Sequence, residues 1–171
     1  MLAIAQVSTP DEIRNVSAML REYTAWAFTL QAGSDAAPTF EGLEQELATL
    51  PGMYAPPNGR LLLAMHDRQP AGCIALKPVD ATTGELKRLY VRPEFRGREI
   101  GPQLVAAVID EARTSGYQRM ILDSHVSMTA AHAIYMAAGF RKVRAPAGFP
   151  EALIPYVVFM EMSLDDVAGA G

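Results

Sequence analysis

The sequence predicts an α/β (α+β) domain: a mixed, mostly antiparallel sheet with helices on both faces. Three observations carry this. Strand-like runs and helical stripes follow one another in the order β-α-α-β-β-β-α-β-α-β-β. A hairpin and a third strand precede a single strand–helix–strand crossover, and antiparallel strands close the chain, which is not the order of a doubly wound nucleotide fold. The 171 residues are 50% hydrophobic and 20% charged, enough for a core without staples.

The elements follow in order. Residues 2–7 read as a first strand. Thr9-Pro10-Asp11-Glu12 is a capping box with proline at the first helical position. The helix after it carries a stripe of Ile13, Val16, Leu20, Tyr23, Ala27 and Leu30, ended by Gly33 and Ser34. Phe40, Leu43, Leu47 and Leu50 mark a second helix, stopped by Pro51-Gly52, with Glu41, Glu44 and Glu46 on a solvated face. Residues 51–59 are a loop. Strands at 60–66 and 71–77 flank a turn and form an antiparallel hairpin, with Cys73 as a small core residue. A strand at 85–91 follows. A helix at 102–115 has Leu104, Val105, Val108, Ile109 and Ala112 on one face and Gly116 as its C-terminal cap. A strand at 120–123, a helix at 128–138, a strand at 141–144, a proline-containing loop at 145–155 and a strand at 156–164 complete the order. One domain spans residues 1–165, and 166–171 form a tail.

Composition narrows the function. The net charge of −4 argues against a nucleic-acid binder. A single cysteine forbids an internal disulfide, and the three histidines have no metal-ligand spacing. No apolar run reaches the roughly 18 residues of a membrane helix, and no signal peptide is visible. A cytoplasmic protein without metal, nucleic-acid or membrane partners is the expectation.

The stretch from Gly84 to Pro102 concentrates the chemistry. It runs as a strand, breaks at Pro93, passes through Arg96-Gly97-Arg98-Glu99-Ile100-Gly101 and opens a helix. A loop feeding a helix N-terminus offers free backbone N–H groups and the positive end of the helix dipole to phosphate. Gly97 and Gly101 allow tight turning, and Arg96 and Arg98 add charge. The loop is neither a P-loop nor a Rossmann fingerprint, because neither spacing is present.

Val91 to Gly101 resembles the acetyl-CoA loop of GNAT-type N-acetyltransferases, whose pattern is Gln/Arg-x-x-Gly-x-Gly/Ala after a strand ending in Val-x-Pro. Ala-His-Ala-Ile-Tyr-Met-Ala-Ala-Gly-Phe, residues 131–140, is similar to the family's second signature, Ala-x-x-x-Tyr-x-x-x-Gly-Phe. The match covers residues 85–140 and implies the GNAT-type acyl-CoA N-acyltransferase fold. It implies acetyl-CoA as cosubstrate, held by Leu89, Tyr90, Val91, Arg96, Gly97, Arg98, Glu99, Ile100, Gly101, Pro102, Met128 and Ala131. Three positions depart from the pattern: Glu99 stands where the family has glycine, Pro102 has no N–H to donate, and Met128 replaces an asparagine.

Strand alternation puts Glu85, Lys87, Leu89 and Val91 on one face and Leu86, Arg88 and Tyr90 on the other. By the resemblance Glu85 is the general base, direct or through water, and Tyr135 donates a proton to the departing thiolate. The acceptor site would draw on Trp26, Phe28, Gln31, Tyr54 and residues 145–155, with Lys87 and Arg88 steering an anionic group. Trp26 and Phe28 also read as core. The implied activity is direct acetyl transfer to the primary amine of a small molecule or peptide. A non-catalytic CoA-binding sensor or interaction module and a preference for another acyl chain stay open. A homodimer is possible, since the sequence selects no oligomeric state.

Overall fold

The computed structural model describes residues 1–30 and 42–165. Gln31, Gly33, Ser34, Phe40 and Glu41 lie outside the described residues, as does the tail from 166. The chain folds as β1 (Leu2–Gln6), α1 (Pro10–Leu30), α2 (Leu43–Ala48), β2 (Arg60–His66), β3 (Gln69–Pro78), β4 (Thr83–Val91), α3 (Ile100–Thr114), β5 (Arg119–His125), α4 (Thr129–Ala138), β6 (Arg141–Val143) and β7 (Val157–Ser163). Short 3-10 turns lie at Gly52–Tyr54, Pro93–Phe95 and Glu151–Tyr156. The strands form one seven-stranded sheet in the order β1-β2-β3-β4-β5-β7-β6. Only β4 and β5 pair in parallel. The element order is the one the sequence predicts.

Local chemistry sets the helix starts and turns. At α1 the Thr9 Oγ1 accepts from the Glu12 N–H at 3.3 Å, and the Glu12 carboxylate accepts from the Thr9 N–H at 2.9 Å. That is the capping box, satisfying orphan donors reciprocally. These bonds hold the Glu12 carboxyl below its ordinary pKa, led by the bond from Ser8. The β2–β3 hairpin turns through Asp67 and Arg68, both at positive φ, as a two-residue primed turn demands.

Alternation along β2 and β3 divides the core. Leu62, Ala64, Ile74 and Leu76 pack under α3, with Leu104, Val105 and Val108. Leu61, Leu63, Cys73 and Ala75 pack against α1 and α2, with Val16, Met19, Leu20 and Leu47. Cys73 is fully buried, and burial pushes its thiol up to about 12, so it stays protonated as a core side chain.

Strand β4 departs from simple alternation. Cys73 pairs with Tyr90 but Ala75 pairs with Lys87, so Arg88 and Leu89 face the single residue Ile74. Arg88 has φ 62°. This is a β-bulge, and it shifts the alternation by one residue. Leu86, Leu89 and Val91 therefore pack on the α3 side, and Tyr90 packs on the α1 side. The face assignment expected from strict period two fails beyond Arg88 for this reason.

The bulge is fastened from α2. Arg88 Nε and Nη2 each donate to the Glu46 carboxylate at 3.1 Å, and the Tyr54 hydroxyl donates to it at 2.6 Å. Glu46 is thus a buried anchor at 9% side-chain exposure rather than part of a solvated face. Tyr54 is fully buried in the same cluster, so it belongs to the core and not to an acceptor site. Removing one partner of a buried pair strands the other charge, at a cost of roughly 3–5 kcal/mol. Glu46→Ala is expected to destabilise the fold by that order, read as a lowered urea midpoint, whereas Glu44→Ala on the same helix leaves the midpoint near wild type. Equal midpoints for the two variants would show that the bulge does not need its anchor.

Candidate active site

The sheet opens where β4 leaves β5. The two strands pair only at Thr83–Arg119, Gly84–Met120 and Glu85–Ile121. Past this point β5 continues against β7, while the β5-facing edge of Leu86–Val91 has no strand partner. An open backbone edge is a template for an extended polar chain. Between the separated strands lies a cavity of about 530 Å³, closed by the start of α3 and by α4.

Leu89, Tyr90 and Val91 line this cavity from β4. Arg96, Gly97, Glu99, Ile100, Gly101 and Pro102 line it from the loop and the α3 N-terminus, and Met128, Ala131 and Tyr135 from the α4 side. The cavity lining therefore holds all but two of the catalytic and cofactor-binding candidates singled out from sequence. Arg98 is turned away, with its guanidinium 5.6 Å over the Phe95 ring. Glu85 also lies off the lining. It sits on the last paired rung of β4 and β5, below the splay, with its carboxylate 3.8 Å from Lys87 Nζ.

The loop has its own constraints. Arg96 Nε donates to the Val91 carbonyl at 3.1 Å, and its guanidinium lies 4.9 Å over Trp26. Gly97 has φ 77° with open space around its α-carbon, so backbone conformation alone selects glycine there. Gly101 is different: a Cβ would meet Ile134 Cδ1 at 3.0 Å, so glycine here serves the approach of α3 to α4. Glu99 is the N-cap of α3 at φ 60°, ψ 19°, and offers no side-chain cap. The glycine of the pattern is thus explained by a left-handed backbone that a glutamate occupies with strain.

On the far wall Tyr23, Trp26 and Tyr90 form an aromatic cluster, with Tyr23–Tyr90 centroids 5.9 Å and Trp26–Tyr90 centroids 6.2 Å apart. Trp26 lines the cavity, whereas Phe28 is 49% exposed and reaches neither core nor cavity lining. Residues 145–155 stay off the lining as well. Lys87 and Arg88 reach it, but Arg88 is committed to Glu46.

Tyr135 is 6% exposed, and burial, with a smaller contribution from Tyr23, pushes its hydroxyl well above the usual phenol range. A phenol held protonated is a proton donor. Its hydroxyl makes no hydrogen bond among the described residues. Gly139, at φ 115°, caps α4, and the Phe140 N–H bonds to the Tyr135 carbonyl at 3.0 Å, which fixes the helix end carrying Tyr135.

Sequence reading missed Asp123 and Ser124 at the end of β5, and Ile134 on α4, all in the lining. Ser124 Oγ lies 2.9 Å from His132 Nε2. No motif flags these positions, because they meet only when β5 and α4 pack.

The chain matches the model of the Acetyltransferase (GNAT) family over residues 18–140. It belongs to that family. Over 165 residues it is 32% identical to an uncharacterized N-acetyltransferase of Schizosaccharomyces pombe, covering 95% of each chain. Its fold is similar to that of a GNAT-family acetyltransferase from Staphylococcus aureus Mu50, at TM-score 0.76 and 18% identity over 96% of this chain and 99% of that one. It is also similar to the PaiA N-acetyltransferase of Thermoplasma acidophilum, solved in complex with coenzyme A, at TM-score 0.71 and 20% identity over 95% and 99%. As a GNAT acetyltransferase the chain is an acyltransferase enzyme. Among the described residues no helix is long and apolar enough to cross a membrane, and no group of side chains forms a metal cluster.

Two outcomes follow from this geometry. Glu99→Gly relieves a left-handed residue and is expected to stabilise the fold by about 1 kcal/mol, read as a raised Tm. An unchanged or lowered Tm would mean that Glu99 is not strained. The second concerns acid. Burial holds the His125 and His132 imidazoles below the ordinary pKa of 6.5. Both therefore add stability that is complete above 6.5 and is lost as pH falls through their folded values. The urea midpoint is expected to drop on that acid side, by less in a His125→Gln, His132→Gln double variant.

Proposed function

We propose that this protein transfers the acetyl group of acetyl-CoA directly to the primary amine of a small molecule or peptide. The observation that carries the reading is the splay of β4 from β5, which opens an unpaired backbone edge onto the N-terminus of α3. The open edge of Leu89, Tyr90 and Val91 suits the amides of an extended pantetheine arm. The turn through Gly97, Ile100 and Gly101 suits its pyrophosphate, with Arg96 in the lining as a nearby cation. Glu99 narrows that phosphate site without closing it, because its side chain is exposed.

Acetyl-CoA supplies the acetyl group as a thioester. A backbone N–H of the β4 edge polarises the carbonyl. Tyr135, protonated by burial, gives its proton to the leaving sulfur. Lys87, at the inner end of the cavity, favours an acceptor that carries a carboxylate or another anion. Glu85, as a base, would work only across water. A cytoplasmic setting is part of this proposal.

Glu99 also favours a second reading, a CoA-binding module without turnover, because it sets a carboxylate in the lining beside the turn that would hold phosphate. Two measurements decide. Acetyl-CoA is expected to raise Tm, since it binds only the folded chain. Free thiol release against a panel of amines, amino acids, polyamines and peptides is expected to exceed the no-acceptor rate, and Tyr135→Phe to lower it by about 10²-fold with the Tm shift retained. A Tm shift without thiol release supports the non-catalytic module. No shift at all sinks both.

A further inference from the structure

The acetyltransferase reading leaves one requirement open. An aliphatic amine arrives as an ammonium and must lose a proton before it can attack. Glu85, the base expected from the resemblance, lies outside the cavity lining. At its wall, β5 and α4 bring together two groups that no motif signals, Ser124 in the lining and His132 buried behind it. Ser124 lines the cavity, and its Oγ is 2.9 Å from Nε2 of His132.

His132 sits one turn before Tyr135 on α4 and is 6% exposed. Its backbone N–H donates to the Met128 carbonyl at 3.1 Å, which fixes the first turn of the helix. Burial lowers its pKa first, and charge on Lys142 of β6 and on His125 of β5 acts in the same direction. A hydrogen bond to the backbone of His125 acts the other way. In the tautomer that carries its proton on Nδ1, Nε2 accepts and the Ser124 hydroxyl donates to it, which leaves the Ser124 oxygen able to take a proton in turn. Beside it the Asp123 carboxylate, exposed and with no ion-pair partner among the described residues, draws a cation to the same end.

We infer that Ser124 and His132 form a proton relay that deprotonates an aliphatic ammonium acceptor, with Ser124 as the catalytic residue and His132 as the residue that positions and drives it. This rests on the acetyltransferase reading. The ammonium N–H breaks as its proton passes to Ser124 Oγ, while the Ser124 proton passes to His132 Nε2. The freed nitrogen lone pair forms the bond to the carbonyl carbon as the carbon–sulfur bond breaks. Of the two protons the nitrogen loses, one leaves through the relay to solvent. The other restores the proton that Tyr135 gives to sulfur. No oxidant or further reactant is needed. The substrate class is an aliphatic amine rather than an arylamine, which needs no relay. The wall of Tyr23, Trp26 and Tyr90 suits an apolar or aromatic tail.

The test uses 2-phenylethylamine and aniline as acceptors, with thiol release followed from about pH 5 to 9. Wild type is expected to acetylate 2-phenylethylamine with kcat/KM falling on the acid side. Ser124→Ala and His132→Gln are expected to lower kcat for it by about 10²-fold, and His132→Gln to remove the acid-side ionisation. Ser124→Thr, which keeps the hydroxyl, restores most of the rate. Aniline, neutral over the range, is expected to lose less than about threefold in either variant. Retention of the acetyl-CoA Tm shift shows that the variants fold. Four results overturn the relay. One is an acid limb that survives in His132→Gln, and another is an acid limb that disappears in Glu85→Gln instead. The third is a loss that falls on the KM for acetyl-CoA with kcat unchanged, which assigns Ser124 to the cofactor. The fourth is a wild type that leaves 2-phenylethylamine untouched while releasing thiol with other amines. Absence of any acetyl-CoA Tm shift is a different failure, that of the acetyltransferase reading itself.

Discussion

The site depends on one buried contact, the grip of Glu46 on Arg88. A non-glycine residue at φ 62° in a central strand is unfavourable and persists only when its surroundings hold it. Here both guanidinium bonds and the Tyr54 hydroxyl converge on one carboxylate. The bulge so held turns Leu89 and Val91 toward α3 and Tyr90 toward α1. It lies between the last β4–β5 rung at Glu85 and the loop at Arg96. The strand that begins as a paired member of the sheet therefore ends as an open edge facing α4.

The same bulge divides the cavity chemically. Its α1 side is aromatic, with Trp26 lying between Tyr90 and the Arg96 guanidinium. Arg96 in turn is tied back to the Val91 carbonyl at the end of β4. The loop that precedes α3 is thus held by the strand before it and the helix α1 beside it. Arg92 strengthens this link: its guanidinium donates to Glu22 of α1 at 2.7 and 3.0 Å and to the Pro70 carbonyl at 2.9 Å. Lys87, Arg88, Arg92, Arg96 and Arg98 form one basic cluster in the sequence. In the fold Arg88 and Arg92 pair with glutamates on α2 and α1, Arg98 lies over Phe95, and Arg96 lines the cavity beside the α3 N-terminus.

What could be read from sequence was local. The capping box at Thr9–Glu12, the hairpin turn, the glycine caps and the Gly97–Gly101 loop each depend on neighbours a few residues away, and each formed as expected. Tyr135 was legible because Gly139 and Phe140 fix its place on α4. The bulge was not, since nothing in Lys87-Arg88-Leu89 announces a left-handed arginine, and the partner that stabilises it is 42 residues away. Glu46 looked solvated for the same reason: its two acidic neighbours on the chain gave no sign that it alone turns inward. Glu85 is a separate case. Its spacing along β4 matched the expected base, but spacing does not say where two strands stop pairing, and the splay begins just above it.

In the proposed relay the proton chemistry lies on α4 rather than on β4. His132 and Tyr135 are three residues apart, so they share one face of a single helix, and both are buried by that face. Burial acts on the two in opposite functional senses. It disfavours imidazolium, so His132 rests neutral with a lone pair to offer, and it disfavours phenolate, so Tyr135 rests with its proton in place. A single leading physical cause on adjacent turns thus sets both resting protonation states, although it strengthens neither group as base or acid. In the proposed reaction the base would act through Ser124 at the β5 end and the acid directly at the sulfur. Amine and thioester would meet between them, where the open edge of β4 stands opposite.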